Sequence, residues 1–230
     1  MDYRVENKYL VSETDIMLIS ARLSPLMGTD KNQHGNSYEI RSLYFDDIFD
    51  SCFGDNDAGV DDRRKYRIRS YGPDFSFIRL EIKEKLNRYT RKYSCPLSRE
   101  EYDAILDGGA ELTFGNKKPL NELLLKMRCD FMRPKAIIKY ERSAFVLPTG
   151  NVRITFDRNI SASRSCNEFF SEHLPFAVPL LPKGTHILEV KYDELLPDVI
   201  AQQLEIGKLQ KTAFSKYYLG RLAINNEFIY

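Results

Sequence analysis

The chain has 230 residues, 43% hydrophobic and 29% charged, with a formal net charge of +1. That length supports a core without disulfide or metal staples, and the composition excludes a disordered or fibrous chain. A near-neutral total argues against a general nucleic-acid binder, so any cationic site must be local and balanced elsewhere.

The first predicted strand runs from Tyr3 to Val11. Ser12, with Asp15 three residues on, is an N-cap signal, and Ile16, Ile19 and Leu23 have helical spacing until Pro25 ends the run. A polar loop over 28–36 leads to a strand through Tyr38 to Phe45. Asp46, Asp47, Asp50, Asp55, Asp57, Asp61 and Asp62 then crowd one stretch, which reads as a solvated loop or short helix. Strands over 64–71 and 75–85 form a hairpin about Gly72-Pro73-Asp74. A short strand follows over 89–95.

Ser98-Arg99-Glu100-Glu101 is a capping box that opens a helix to about Leu106, and Gly108-Gly109 stops it. Residues 120–128 are helical by spacing. Strands return over 135–147 and 153–158, joined by Pro148-Thr149-Gly150-Asn151, and again over 186–192 after an irregular stretch. The chain ends in helices over 198–204 and 214–222. There is no repeat and no linker rich in Gly, Pro or Ser, so the pattern predicts a single antiparallel α+β domain over 1–230.

Basic residues recur at alternate positions of these strands. Lys65, Arg67 and Arg69 share one face of KYRIRSY; Arg79, Glu81 and Lys83 share one face of RLEIKEK. Arg153 with Asp157, and Glu189 with Lys191, repeat the theme. Ile68, Leu80, Ile82, Ile154, Phe156, Leu188 and Val190 point the other way. Any one such face is ordinary solvated surface. Their repetition predicts a polyanion, since arginine's planar fork suits phosphate and lysine supplies a compact charge. The interspersed carboxylates either balance charge or hold a divalent ion that bridges phosphate oxygens.

Other chemistry is not signalled. There is no phosphate-cradling GxxxxGK[ST], no GxGxxG before a helix and no GxSxG. His34, His173 and His186 stand apart and read as structural or surface residues. Cys52, Cys95, Cys129 and Cys166 match no metal spacing and read as reduced thiols of a cytoplasmic protein. No apolar run reaches the roughly 18 residues of a membrane span, and the opening residues lack a signal-peptide core.

The segments RVENKYLV, IRSLYFDD, KYRIRSY, RLEIKEK, IKYERSAF, VRITFD, ILEVKY and AFSKYYLG occur in that order. Together they resemble the VTC polyphosphate polymerase branch of the triphosphate tunnel metalloenzymes, the superfamily that also holds the CYTH domains. The resemblance covers nearly the whole chain. It implies an antiparallel β-barrel tunnel with flanking and C-terminal helices, its basic side chains turned inward. It also implies roles for individual positions. Arg67, Arg69, Arg142, Arg153, Lys191 and Lys216 match phosphate-clamping positions at the reacting centre; Lys8 and Lys83 match substrate-binding lysines, with Tyr140 lying against the ligand. Glu189 matches the metal-binding glutamate, and Glu6 and Glu81 are further candidate ligands for Mn²⁺ or Mg²⁺.

One departure bears on activity. Hydrolytic and cyclase members open with ExExK, whereas this strand reads Arg4-Val5-Glu6-Asn7-Lys8. An arginine in place of the first carboxylate fits the polymerase branch better. The transmembrane segment and accessory domain of eukaryotic polymerase subunits are not in this sequence, which leaves room for a membrane-protein partner. The resemblance thus implies transfer of the γ-phosphate of ATP, or another nucleoside triphosphate, to a growing polyphosphate chain. A tripolyphosphate or triphosphate hydrolase of the same fold and a non-catalytic polyphosphate-binding module are the alternatives. Duplex nucleic acid is not an expected partner, because a tunnel excludes it.

Overall fold

In the computed structural model, which describes residues 5–30, 33, 35–72, 76–86, 89–205, 207 and 209–225, Ser12 closes one element and opens the next. The elements in chain order begin with β1 (Val5–Ser12), α1 (Glu13–Leu23), β2 (Gly28–Thr29), β3 (Tyr38–Asp46) and α2 (Ser51–Asp57). Next come β4 (Arg63–Tyr71), β5 (Phe77–Leu86), β6 (Tyr89–Leu97), α3 (Arg99–Leu106) and α4 (Lys118–Cys129). The remainder are β7 (Arg133–Leu147), β8 (Val152–Ser163), β9 (Val178–Pro179), β10 (Thr185–Tyr192), α5 (Asp198–Gln203), β11 (Gln210–Lys211) and α6 (Lys216–Ile224). Arg4, His34 and the Pro73-Asp74 turn fall outside the described residues.

Local chemistry explains the boundaries. The Ser12 side chain accepts from the Asp15 amide while Asp15 accepts from the Ser12 amide, a reciprocal cap for α1. Ser98 and Glu101 repeat it at α3. Gly108 and Gly109 end α3 with φ of 101° and 71°, a backbone that side-chain-bearing residues rarely adopt. Pro119 sits in the first turn of α4, where its missing N–H costs nothing.

The strand pairs with an assigned register are antiparallel, and hydrogen-bonded neighbours follow the order β11-β1-β10-β8-β7-β3-β4-β5-β6, with β2 added to β7 and β9 to β8. The fold is therefore antiparallel α+β, with six α-helices among the described residues. Among the described residues this path is open, so the pairing does not close the barrel that the resemblance implies.

The residues group into two compact units. The first comprises 1–39, 140–160 and 181–215, and the second 40–139, 161–180 and 216–230, so β7 and β8 contribute to both. In the first unit, Ile16, Ile19 and Leu23 of α1 pack with Phe145, Ile154, Phe156, Leu188, Val190 and Ile200. In the second, α4 packs on β5 and β6, and Ile68, Leu80, Ile82, Leu123 and Leu124 are fully buried. Each such aliphatic side chain contributes about 1.5–3 kcal/mol by leaving water.

The aspartate-rich stretch is more than a solvated loop. Asp46 is fully buried at its start, where it accepts from the amides of Cys52 and Phe53 and from the Tyr217 hydroxyl at 2.6 Å. Asp50, in the left-handed region at φ 56°, takes two hydrogen bonds from Arg221 and pairs with Lys135 at 3.0 Å. These acids anchor α2 and α6 to β3.

Candidate functional site

The first unit builds a carboxylate pair among lysines. Antiparallel register sets Glu6 opposite Lys191 and Lys8 opposite Glu189, with all four side chains on one face of β1 and β10. Lys8 Nζ lies 3.0 Å from Glu6 and 3.9 Å from Glu189, and Lys191 Nζ lies 3.4 and 3.2 Å from the same two. Lys8 also donates to the Phe214 carbonyl at 2.8 Å, which ties the chain ahead of α6 to β1. Burial and the neighbouring Glu189 push the Glu6 carboxyl up, but Lys191 and Lys8 outweigh them and hold it below its ordinary range.

Register carries the face onward to β8, where Arg153 stands opposite Lys191 and Thr155 opposite Glu189. Arg153 pairs with the buried Asp30 at 2.6 Å and donates to the Tyr38 hydroxyl at 3.3 Å. Arg142 of β7 donates to both oxygens of the fully buried Asp157, at 2.6 and 2.7 Å, and lies 3.6 Å from Glu189. Burial disfavours its charge, yet Asp157 keeps Arg142 ionised well beyond the ordinary arginine range. Tyr140 is buried with its ring centroid 5.2 Å from that guanidinium.

Thr155 supplies the observation that bears on a ligand. Its hydroxyl is buried without a hydrogen-bond partner, directly opposite Glu189. Buried hydroxyls normally find partners, so an unsatisfied one marks a place where water, a cation's hydration shell or a phosphate belongs. Among the described residues no three His, Cys, Asp or Glu side chains gather as a metal cage. Mg²⁺ and Mn²⁺ do not require one, because they bind through one or two carboxylates plus phosphate and water. The Glu6–Glu189 pair fits that donor set.

The second unit builds a cationic face on β4, β5 and β6. In register, Lys65, Lys83 and Lys92 form one row, Arg67, Glu81 and Ser94 the next, and Arg69 and Arg79 the third. Glu81 is the single carboxylate on that face among the described residues. It accepts from Arg67 at 2.8 and 2.6 Å, pairs with Lys92, and lies 3.8 Å from Arg69. Burial opposes its ionisation, but Arg67, Arg69 and Lys92 hold it far below the usual carboxylate range. Arg67 also donates to the Tyr44 hydroxyl at 3.0 Å. Burial pushes that phenol up, whereas Arg67, Arg69 and Lys216 draw it below its ordinary value. Lys216 starts α6, and Tyr217 after it stacks on Tyr44 at 5.1 Å.

The expected residues thus fall into two sets. Glu6, Lys8, Tyr140, Arg142, Arg153, Glu189 and Lys191 belong to the first unit; Arg67, Arg69, Glu81, Lys83 and Lys216 belong to the second. Sequence reasoning gave no role to Asp157, Asp30, Thr155, Tyr44 and Lys92. Asp157 and Lys92 were visible as alternate positions of strands, but nothing local marks which cation each would meet.

The first unit thus presents a face of antiparallel strands that carries paired carboxylates among lysines and arginines. Two solved structures share the fold. One is a candidate adenylate cyclase from Vibrio parahaemolyticus, 12% identical, with a TM-score of 0.53 over 95% of this chain and 97% of the other. Another is a candidate adenylate cyclase from Bacillus halodurans, 13% identical, with a TM-score of 0.50 over 89% of this chain and 87% of the other. No curated protein matches the sequence. The chain belongs to the VTC domain family, whose model matches residues 3–225.

Proposed function

We propose that this VTC domain binds a nucleoside triphosphate and polyphosphate, and transfers the γ-phosphate to the end of the chain in a basic tunnel. The observation that carries the reading is the Glu6–Glu189 pair, interleaved with Lys8 and Lys191 beside Arg142 and the unsatisfied Thr155 hydroxyl. Carboxylates so surrounded hold cations in place without discharging them, which is what a site for a highly charged anion needs. Family membership supports triphosphate- or polyphosphate-related activity, and the cationic β4–β5–β6 face of the second unit agrees with it.

Arg67, Arg69, Arg142 and Arg153 would clamp phosphate oxygens, while Lys8, Lys83, Lys191 and Lys216 add charge and Tyr140 backs Arg142. Glu189 and Glu6 would hold Mg²⁺ or Mn²⁺, which supplies charge neutralisation on the phosphates. Glu81, enclosed by Arg67 and Lys92, would orient those cations. In the reaction a terminal oxygen of the polyphosphate forms a bond to the γ-phosphorus, and the bond to the β–γ bridging oxygen breaks to release the nucleoside diphosphate. The attacking oxygen is already ionised, so no protein base is required, and catalysis rests on positioning and charge.

The test is purified protein with ATP, a polyphosphate primer and Mn²⁺ or Mg²⁺. ADP and polyphosphate should accumulate together, chelation should stop both, and E189Q should lose turnover while retaining phosphate binding. Orthophosphate release without chain growth would replace the polymerase with a hydrolase. Tight binding with no turnover under any metal would leave a binding module.

A further inference from the structure

Arg79 of β5 stands directly opposite Arg69 of β4. Like charges placed opposite each other destabilise a sheet unless something compensates them. Arg69 lies 3.8 Å from Glu81 and donates to the Ser42 hydroxyl at 3.3 Å, whereas Arg79 meets no carboxylate among the described residues. Its contacts are a hydrogen bond to the Ser94 hydroxyl at 3.1 Å and the Phe77 ring, 5.3 Å from its guanidinium carbon. Its Nε is buried without a hydrogen-bond partner. A permanently charged group, opposed by another and missing a hydrogen bond, is an incomplete arrangement.

We propose that Arg79, with Arg69 across from it and Ser94 beside it, forms a further oxyanion subsite for a phosphoryl group of a linear phosphate chain. The inference rests on the phosphate-binding reading above and adds a residue to which the family resemblance assigns no role. Chemistry favours phosphate as the occupant. The exposed end of the guanidinium, which already donates to Ser94, presents N–H donors that suit phosphate oxygens, and Phe77 supports the plane of the group. Register sets the distance: Arg79 lies two residues along the strand from Glu81, about 7 Å away. The subsite therefore lengthens the cationic face by one row, which a long chain would engage more fully than a short one.

Calorimetric titration of tripolyphosphate and of long-chain polyphosphate, at several salt concentrations, tests this on the full chain. R79Q should weaken long-chain binding about tenfold, and lower the salt slope by about one unit. Tripolyphosphate binding should change less. R79K, which keeps the charge but loses the fork, should fall between. S94D changes an exposed position opposite Glu81 and sets a carboxylate beside Arg79, so it should weaken long-chain binding at least as much as R79Q. Thermal melts followed by circular dichroism check folding, and S94D decides the matter where R79Q unfolds. Wild-type affinity and salt slope in S94D and in folded R79Q would overturn the subsite and leave the phosphate-binding reading standing. A wild-type chain that binds neither probe would overturn both.

Discussion

Arg142 on β7 and Asp157 on β8 are joined by two charge-assisted hydrogen bonds of 2.6 and 2.7 Å, and the carboxylate is fully buried. The pair keeps a permanently charged arginine in a site with little water, 3.6 Å from Glu189.

Removing one partner leaves the other charge stranded. D157N should therefore cost about 3–5 kcal/mol of stability in denaturant unfolding. Replacing both partners, as in R142M/D157L, should restore most of that loss while phosphate binding stays weak. A D157N cost well below 1 kcal/mol would show that the buried pair contributes little.

Glu81 sets a pH dependence. Its folded-state pKa lies well below the unfolded value of about 4.3, because Arg67, Arg69 and Lys92 overcome the cost of burial. Its contribution is thus fully present above that unfolded value and is lost as pH falls through the folded one. E81Q should be less stable than wild type by about 3–5 kcal/mol at pH 7, and the gap should narrow below about pH 4. Unfolding of both proteins from pH 7 to pH 3 checks this; a gap that stays constant or widens on acidification contradicts it.

Gly220 on α6 faces Ile138 of β7 and Ala162 of β8. A Cβ there would collide with Ile138 Cδ1 and stand 3.3 Å from Ala162 Cβ. Alanine gains about 1 kcal/mol in helix propensity, but overpacking a closed core costs about 1–3 kcal/mol. G220A should be net destabilising by about 1 kcal/mol. Trimming the obstructing methyl in I138V should make the same change neutral or stabilising, which a double-mutant cycle of melting temperatures would detect.

The thiols should separate by accessibility. Cys129 is exposed, Cys52 and Cys95 are buried, and burial raises the Cys166 thiol to about 11. In native protein at neutral pH one thiol should react rapidly with a disulfide reagent, and C129S should abolish that phase. A rapid phase that survives in C129S would contradict the assignment.

Much of the fold is legible because its signals are local. The capping partners of Ser12 and Ser98 lie three residues away, so α1 and α3 start where their sequences predict. Alternation in KYRIRSY puts Tyr66 and Ile68 on one face and Lys65, Arg67 and Arg69 on the other without knowledge of any other strand. Longer-range contacts leave no such mark. Asp46 reads as one acid in a polar run, and only folding brings the Tyr217 hydroxyl within 2.6 Å of it.

What this chain's sequence determined by itself is which residues share a face, because the strand period of two is written into neighbouring positions. Tertiary structure alone decided what each cation meets. Register put Arg67 against Glu81, Lys8 against Glu189 and Arg79 against Arg69. A shift of one residue would have turned every one of those side chains to the other face. Two arginines with the same sequence-level description thus end differently: Arg67 is held by a carboxylate, while Arg79 faces another arginine. Pairing across strands, which no single strand encodes, makes that distinction.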